Sequence, residues 1–218
     1  IRLLGGDGLH NEDDEDFNPM TCSAGFWVRN GRQILLASAG HCTVNGPHLN
    51  PPHDMSVDFL YLPWNSGEPE ILIGRMSQYS IAGFDKGYIL REDEIFNAAP
   101  AIRNSDNPDF PELPIVGYLP LFTIGAYLCK SGYKTHVTCG VLNSHNAVLS
   151  VDFNEAIDFF DVYVANLVGR KGDSGGPVFK FVLGEEGVRI VGMMTASIDE
   201  INLSAFHPTD VILRRDDG

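Results

Sequence analysis

Apolar residues along this chain come in short bursts, punctuated by Gly, Pro, Asn and Asp. Ten such bursts stand at 25–28, 33–37, 57–62, 71–73, 88–90, 137–142, 147–151, 162–167, 178–182 and 188–194. They are rich in β-branched and aromatic residues and too short for helices, which predicts many strands arranged as a sandwich or barrel. A helical period is suggested only at 208–215, where His207-Pro208-Thr209-Asp210 is placed to start a last short helix. The stretch 97–120, with five prolines and several Asn and Asp, reads as a long irregular connection near mid-chain. The expectation is one all-β unit with an internal seam, its halves at 1–100 and 115–218.

With 218 residues, 44% of them hydrophobic, the chain can bury a sizeable core, and no apolar run reaches the roughly 18 residues of a membrane span. No basic start followed by an apolar stretch stands at the N-terminus, so the chain as given is expected to be a processed form. A formal net charge of -14 disfavours nucleic acid and anionic membranes as partners. The acidic run 11–16 lacks the spaced ligands and turn glycine of a calcium loop and reads as a solvated surface segment. No metal or other cofactor is expected.

Four cysteines, Cys22, Cys42, Cys129 and Cys139, allow three connectivities, of which local pairing is the simplest. Neither local pair has the CxxC spacing of zinc or thioredoxin-type sites, and an even count suits an oxidising compartment. The triplet Asn202-Leu203-Ser204 fits a glycosylation sequon, though such triplets also arise by chance.

Chemistry concentrates in two strings. In Gly172-Asp173-Ser174-Gly175-Gly176-Pro177, glycines flank a serine. A serine hydroxyl attacks only when a base takes its proton and fixed donors hold the oxyanion. Glycines let the backbone aim neighbouring N–H groups into one pocket, here those of Gly172 and Ser174. The same string matches the nucleophile elbow of α/β-hydrolases. That elbow, however, needs a helix after the serine and a histidine later in the chain. Here a turn and an apolar strand-like segment follow, and only His207 is left as a late histidine. The second string, Ala37-Ser38-Ala39-Gly40-His41-Cys42, sets a histidine beside a cysteine and behind small residues, with Cys22 the natural disulfide partner. The other histidines, His10, His48, His53, His136, His145 and His207, read as structural or exposed.

Together the His41 and Ser174 segments, in that order, resemble the chymotrypsin-like (trypsin-superfamily) serine proteases. The finer likeness is to the secreted bacterial streptogrisin and α-lytic protease group. Gly5-Gly6-Asp7 looks like their mature N-terminus, and Cys22-Ser23-Ala24-Gly25-Phe26 like their first disulfide-bearing strand. Cys129-Lys130-Ser131-Gly132 with Thr138-Cys139-Gly140 is similar to their second, short disulfide loop. The resemblance implies two antiparallel six-stranded β-barrels packed together, with a short C-terminal helix. It also implies a secreted, monomeric endopeptidase, made as a zymogen, that acts on protein or peptide substrates and is open to proteinaceous inhibitors.

The resemblance implies a triad of His41, Asp85 and Ser174. The family's aspartate heads an apolar strand midway between histidine and serine, and Phe84-Asp85-Lys86-Gly87-Tyr88-Ile89-Leu90 fits that pattern. Asp93, in an acidic cluster, and Asp54, after a Pro-Pro-His loop, are the alternatives. Asp173 needs a cation, and either Lys130, where bacterial relatives carry an arginine, or the Ile1 amine fills that role. The S1 pocket maps to the segment from Val168 to Lys171 and to Met194, Thr195, Ala196 and Ser197. No aspartate stands where a trypsin-like pocket keeps one. Met194 corresponds to a methionine that narrows the α-lytic pocket, which favours a small or medium apolar P1 residue. The alternative is glutamate, held by Thr195, Ser197, His207 and Lys171. Against it, Met194 replaces the histidine that glutamate-specific relatives carry on this strand. The relatives' usual third disulfide near the pocket is missing. A catalytically silent, protease-fold binding protein is the competing reading, although every triad and oxyanion residue is present.

Overall fold

Residues 57–62 alternate as a half-buried strand should: Val57 and Phe59 turn inward, while Asp58 faces outward and pairs with Arg75 at 2.7 Å. The same logic runs through the molecule, and each of the ten apolar segments overlaps a strand. The structure, a computed structural model, describes residues 1–11, 20–43, 56–66, 69, 71–121, 123–152 and 156–214. The acidic run beyond Asn11, along with His48, His53 and Asp54, lies outside them.

The strands are β1 Arg2–Gly5, β2 Gly8–Asn11, β3 Met20–Ser23, β4 Trp27–Asn30, β5 Gln33–Ser38, β6 Val57–Leu62, β7 Ile71–Ser80 and β8 Lys86–Leu90. They continue as β9 Asn97–Arg103, β10 Glu112–Tyr118, β11 Tyr127–Gly132, β12 His136–Asp152, β13 Ala156–Ala165, β14 Pro177–Phe181, β15 Val188–Ile198 and β16 Leu203–Pro208. A short helix, α1 (Thr209–Leu213), follows.

Two sheets form. The first has the order β3-β2-β6-β7-β8-β5-β4, and every ladder in it is antiparallel. The second has the order β1-β9-β10-β15-β14-β11-β12-β13-β16. In it β15 also pairs with β16, so β15, β14, β11, β12, β13 and β16 join in a ring of antiparallel ladders. Beyond that ring, β10 lies parallel to β15 and β1 parallel to β9, carrying the start of the chain across to the second sheet.

The stretch 97–120 is not the irregular connection expected from its prolines, because it contains β9 and β10. Pro100 and Pro114 are exposed within these strands. A strand tolerates proline where its missing N–H is not needed, and pairing across β9 and β10 supplies the order that local composition hides.

Each half has its own core: Leu9, Leu36, Phe59, Ile73 and Ile89 in the first, and Leu128, Leu142, Val178, Val191 and Phe206 in the second. A third cluster draws Phe26 and Ala37 from the first half against Phe179, Met193 and Ile212 from the second, and so forms the seam. Each such buried large side chain contributes about 1.5–3 kcal/mol. Asp7, fully buried, takes a two-pronged bond from Arg103 (2.7 and 2.8 Å), locking the turn after β1 to β9.

Candidate active site

Strand pairing brings the polar residues together. Ser38, at the end of β5, is in register with Gly87, near the start of β8. The chain leaves β5 into a short 3₁₀ turn, Gly40–Thr43, and it enters β8 through Asp85. His41 and Asp85 therefore meet at the same end of adjacent strands. The His41 main-chain N–H donates to Asp85 Oδ1 at 2.8 Å, and Nδ1 of its ring lies 2.7 Å from Oδ2. An ionised carboxylate can only accept, so the ring proton belongs on Nδ1 and Nε2 carries the lone pair. The Cys22–Cys42 disulfide ties the residue after His41 to the end of β3. Cys22, His41 and Cys42 are close enough together to suggest a metal site, but both sulfurs are spent on each other.

Asp85 is fully buried. Burial by itself would raise its pKa, but the charge and hydrogen bonds of His41 outweigh that and hold the carboxyl below its ordinary value. For His41 burial pulls downward, and the Asp85 charge and hydrogen bond overcome it, leaving the imidazole above its ordinary value. Of the alternative acids, Asp93 caps an exposed turn through Ile95 N–H and Asp54 lies outside the described residues.

Two residues complete the surroundings of Asp85. Thr195 Oγ1 donates to Oδ2 at 2.9 Å, and His207 Nε2 accepts the Asp85 main-chain N–H at 3.0 Å. Thr195, expected as pocket lining, thus turns its side chain to the carboxylate. Its carbonyl lies 3.4 Å from Ser174 Oγ, so one residue touches both Asp85 and the serine.

Ser174 sits in the turn between β13 and β14. That turn is fastened to β15 by Gly175 N–H to Met194 O (2.8 Å) and Met194 N–H to Gly176 O (2.9 Å). Gly175 must lack a side chain. A Cβ there would stand 2.2 Å from Ser38 Oγ, 2.5 Å from Ser23 O and 2.9 Å from Ala39 N. The serine turn is thereby pressed against the segment that leads to His41. Gly172 carries φ +111, and its carbonyl accepts from Ser23 Oγ at 2.7 Å. Among the described residues, the N–H groups of Gly172 and Ser174 donate to no acceptor.

Asp173 is held inward by the β11–β12 hairpin. Its Oδ1 accepts from the Lys134 and Thr135 amides, and its Oδ2 from Thr135 Oγ1 (2.6 Å) and Arg170 N–H (2.9 Å). Lys130 Nζ, fully buried, lies 3.3 Å from Oδ2 and also donates to His136 O and Thr135 Oγ1. The Ile1 ammonium lies elsewhere, on the Ile95 carbonyl. Burial pulls the Lys130 pKa down, partly offset by Asp173. The Cys129–Cys139 disulfide joins β11 to β12 in this hairpin.

Of the other residues assigned to the pocket, Met194 is buried, Val168, Ala196 and Ser197 are half-buried, and Lys171 is exposed. Sequence reading missed the roles of Ser23, Thr135 and His207 in this network. Ser23 and His207 sit in strings already singled out, but only the fold shows what they touch.

No family model and no curated protein matches the chain. Solved structures do. Thermobifida fusca protease A aligns at TM-score 0.72 and 20% identity, over 98% of this chain and 95% of that one. Nocardiopsis protease aligns at TM-score 0.67 and 16% identity, over 96% and 94%. A glutamic acid specific serine protease, which uses a histidine triad in substrate binding, aligns at TM-score 0.69 and 20% identity, over 95% and 94%. The chain has the fold of the bacterial chymotrypsin-like serine proteases.

Proposed function

We propose that this protein is a serine endopeptidase, acting outside the cell, that cleaves peptide bonds through an acyl-enzyme on Ser174. The observation that carries the reading is the bond between His41 Nδ1 and Asp85 Oδ2, joined to the serine turn through Thr195. His41 Nε2 takes the Ser174 proton as Oγ attacks the scissile carbonyl, and Asp85 stabilises the imidazolium that forms. The unpaired amides of Gly172 and Ser174 receive the oxyanion. His41 then gives its proton to the leaving amine, and water releases the acyl group by the same steps in reverse order. Two disulfides and the absence of any free cysteine suit an oxidising environment.

A small or medium apolar P1 residue fits the wall beside the serine turn. A Cβ on Gly169 would lie 2.7 Å from Ser204 Oγ, 3.0 Å from Ser197 Cβ and 3.4 Å from Met194 Cε, so these side chains already crowd the space. Glutamate fits less well, because Lys171 is exposed and His207 is engaged by Asp85.

A fluorophosphonate tests the reading. Native protein should gain one adduct, mapped to Ser174, whereas denatured protein and the His41→Ala variant should gain none. Native protein without an adduct would be a silent binding protein, and the reading would fall.

A further inference from the structure

His207 stands behind the carboxylate, on β16, with 0% of its surface exposed. It comes within reach of Asp85 across 122 residues of chain, because β15 joins β14 to β16 and carries Thr195 and the neighbours of His207 past the entrance to β8. A main-chain N–H can only donate, so Nε2 must present its lone pair and the ring proton must sit on Nδ1. Nδ1 is itself buried and, among the described residues, has no hydrogen-bond partner. That is an unusual cost, of the kind that marks a residue kept for something other than packing. The rings of Phe84 and Phe159 approach the imidazole edge-on, each with its centroid 6.0 Å away, and hold the plane of the ring. Burial also keeps the ring neutral, drawing its pKa below the ordinary value against the pull of Asp85 and Asp161.

The geometry points to His207 as a positioning residue for the reaction proposed above, and so it rests on that reading: as a neutral acceptor it fixes the Asp85 main chain and thereby aims the carboxylate at His41. The carboxylate oxygens are held from one side by His41 and Thr195. Without His207 the Asp85 amide has to turn toward another acceptor, and the peptide that carries the carboxylate turns with it. A protonated ring would set one N–H against another, so only the neutral form can serve. A leucine of similar bulk would fill the same space without an acceptor, whereas the glutamine carbonyl can reach the Nε2 position.

The test compares the full chain with His207→Gln and His207→Leu. It reads the second-order rate of fluorophosphonate labelling, and kcat and KM on a peptide p-nitroanilide with alanine at P1. We expect the Leu variant to lose about tenfold or more in labelling rate and in kcat at unchanged KM, and the Gln variant to stay within about threefold of wild type. A Leu variant that labels at the wild-type rate overturns the inference while leaving the protease reading intact. An unlabelled wild type overturns both. Should the Leu variant fail to fold, nitrogen-15 spectra of the wild-type ring decide the question without it. An unprotonated Nε2 with a protonated Nδ1 at neutral pH supports the inference, and an Nε2–H tautomer overturns it.

Discussion

The main-chain N–H of Ser23 donates to the carbonyl of Ser174 at 2.7 Å, stitching the edge strand of the first sheet to the serine turn of the second. The Ser23 hydroxyl adds two further bonds, donating to Gly172 O at 2.7 Å and accepting the Tyr133 N–H at 2.9 Å. It therefore pins the peptide that lies between the two amides assigned to the oxyanion, and it fastens the hairpin that cradles Asp173. Ser23→Ala keeps the main-chain bond but leaves a buried carbonyl and a partly buried amide unpaired. We expect a loss of about 1–3 kcal/mol in stability, read by denaturant unfolding. A fall in kcat at near-constant KM should accompany it.

For the proposed reaction His41 must be neutral. Its pKa lies above the ordinary value of about 6.5, while Asp85 stays ionised well into acid. The acid limb of kcat/KM is therefore expected above pH ~6.5, with activity lost as pH falls through it. Asp85→Asn leaves His41 without its charge partner and in the wrong tautomer, and should lower kcat by about 10⁴.

Stability should carry the opposite histidine signature. The charged groups acting on His207 are Asp85, Asp161 and Lys86, and burial outweighs them to depress its folded-state pKa. A depressed pKa means that the unfolded chain binds the proton first. Stability from this group is full above about pH 6.5 and is lost as pH falls through the folded value. In a Ser174→Ala background, which removes self-digestion, His207→Gln should shrink the fall in Tm between pH 7.5 and pH 5. An unchanged Tm difference would count against the assignment.

Pocket width can be altered by removing two hydroxymethyl groups. Ser197 and Ser204 face each other across β15 and β16, and both crowd the position of Gly169. The Ser197→Gly/Ser204→Gly double variant should shift preference from alanine toward leucine or phenylalanine at P1 by about 10–200-fold, a range set by methylene-scale changes in an apolar pocket. Cleavage profiling on a peptide library reads this directly.

Lys130 and Asp173 are both buried, so removing one charge strands the other. Lys130→Met should cost about 3–5 kcal/mol and slow Ser174 labelling, because Asp173 immediately precedes the nucleophile. Lys130→Arg keeps the charge and should recover most of both. Thermal unfolding and labelling rate separate the two effects.

Much of the fold was legible locally. The alternation at 57–62 coincides with β6 end for end, and the burst at 33–37 lies within β5. Strands β9 and β10 were not legible. Their prolines argue for a loop, and what makes them strands is pairing with β1, with each other and with β15. The strings around His41, Asp85 and Ser174 stood out because tight turns and strand entries leave short glycine-bearing signatures. The supporting residues leave none. Nothing beside Thr195 in sequence says that its hydroxyl faces a carboxylate, and nothing near His207 says that its ring meets an amide.

The sequence by itself determined which reactive groups the chain carries, their order, and the alternation that makes it β-sheet. The tertiary structure decided which groups face one another: His41 and Asp85 across 44 residues, Thr195 and Asp85 across 110, and His207 and Asp85 across 122. The physical reason is that hydrogen bonds act over about 3 Å in space, and distances along the chain become distances in space only once the strands have paired.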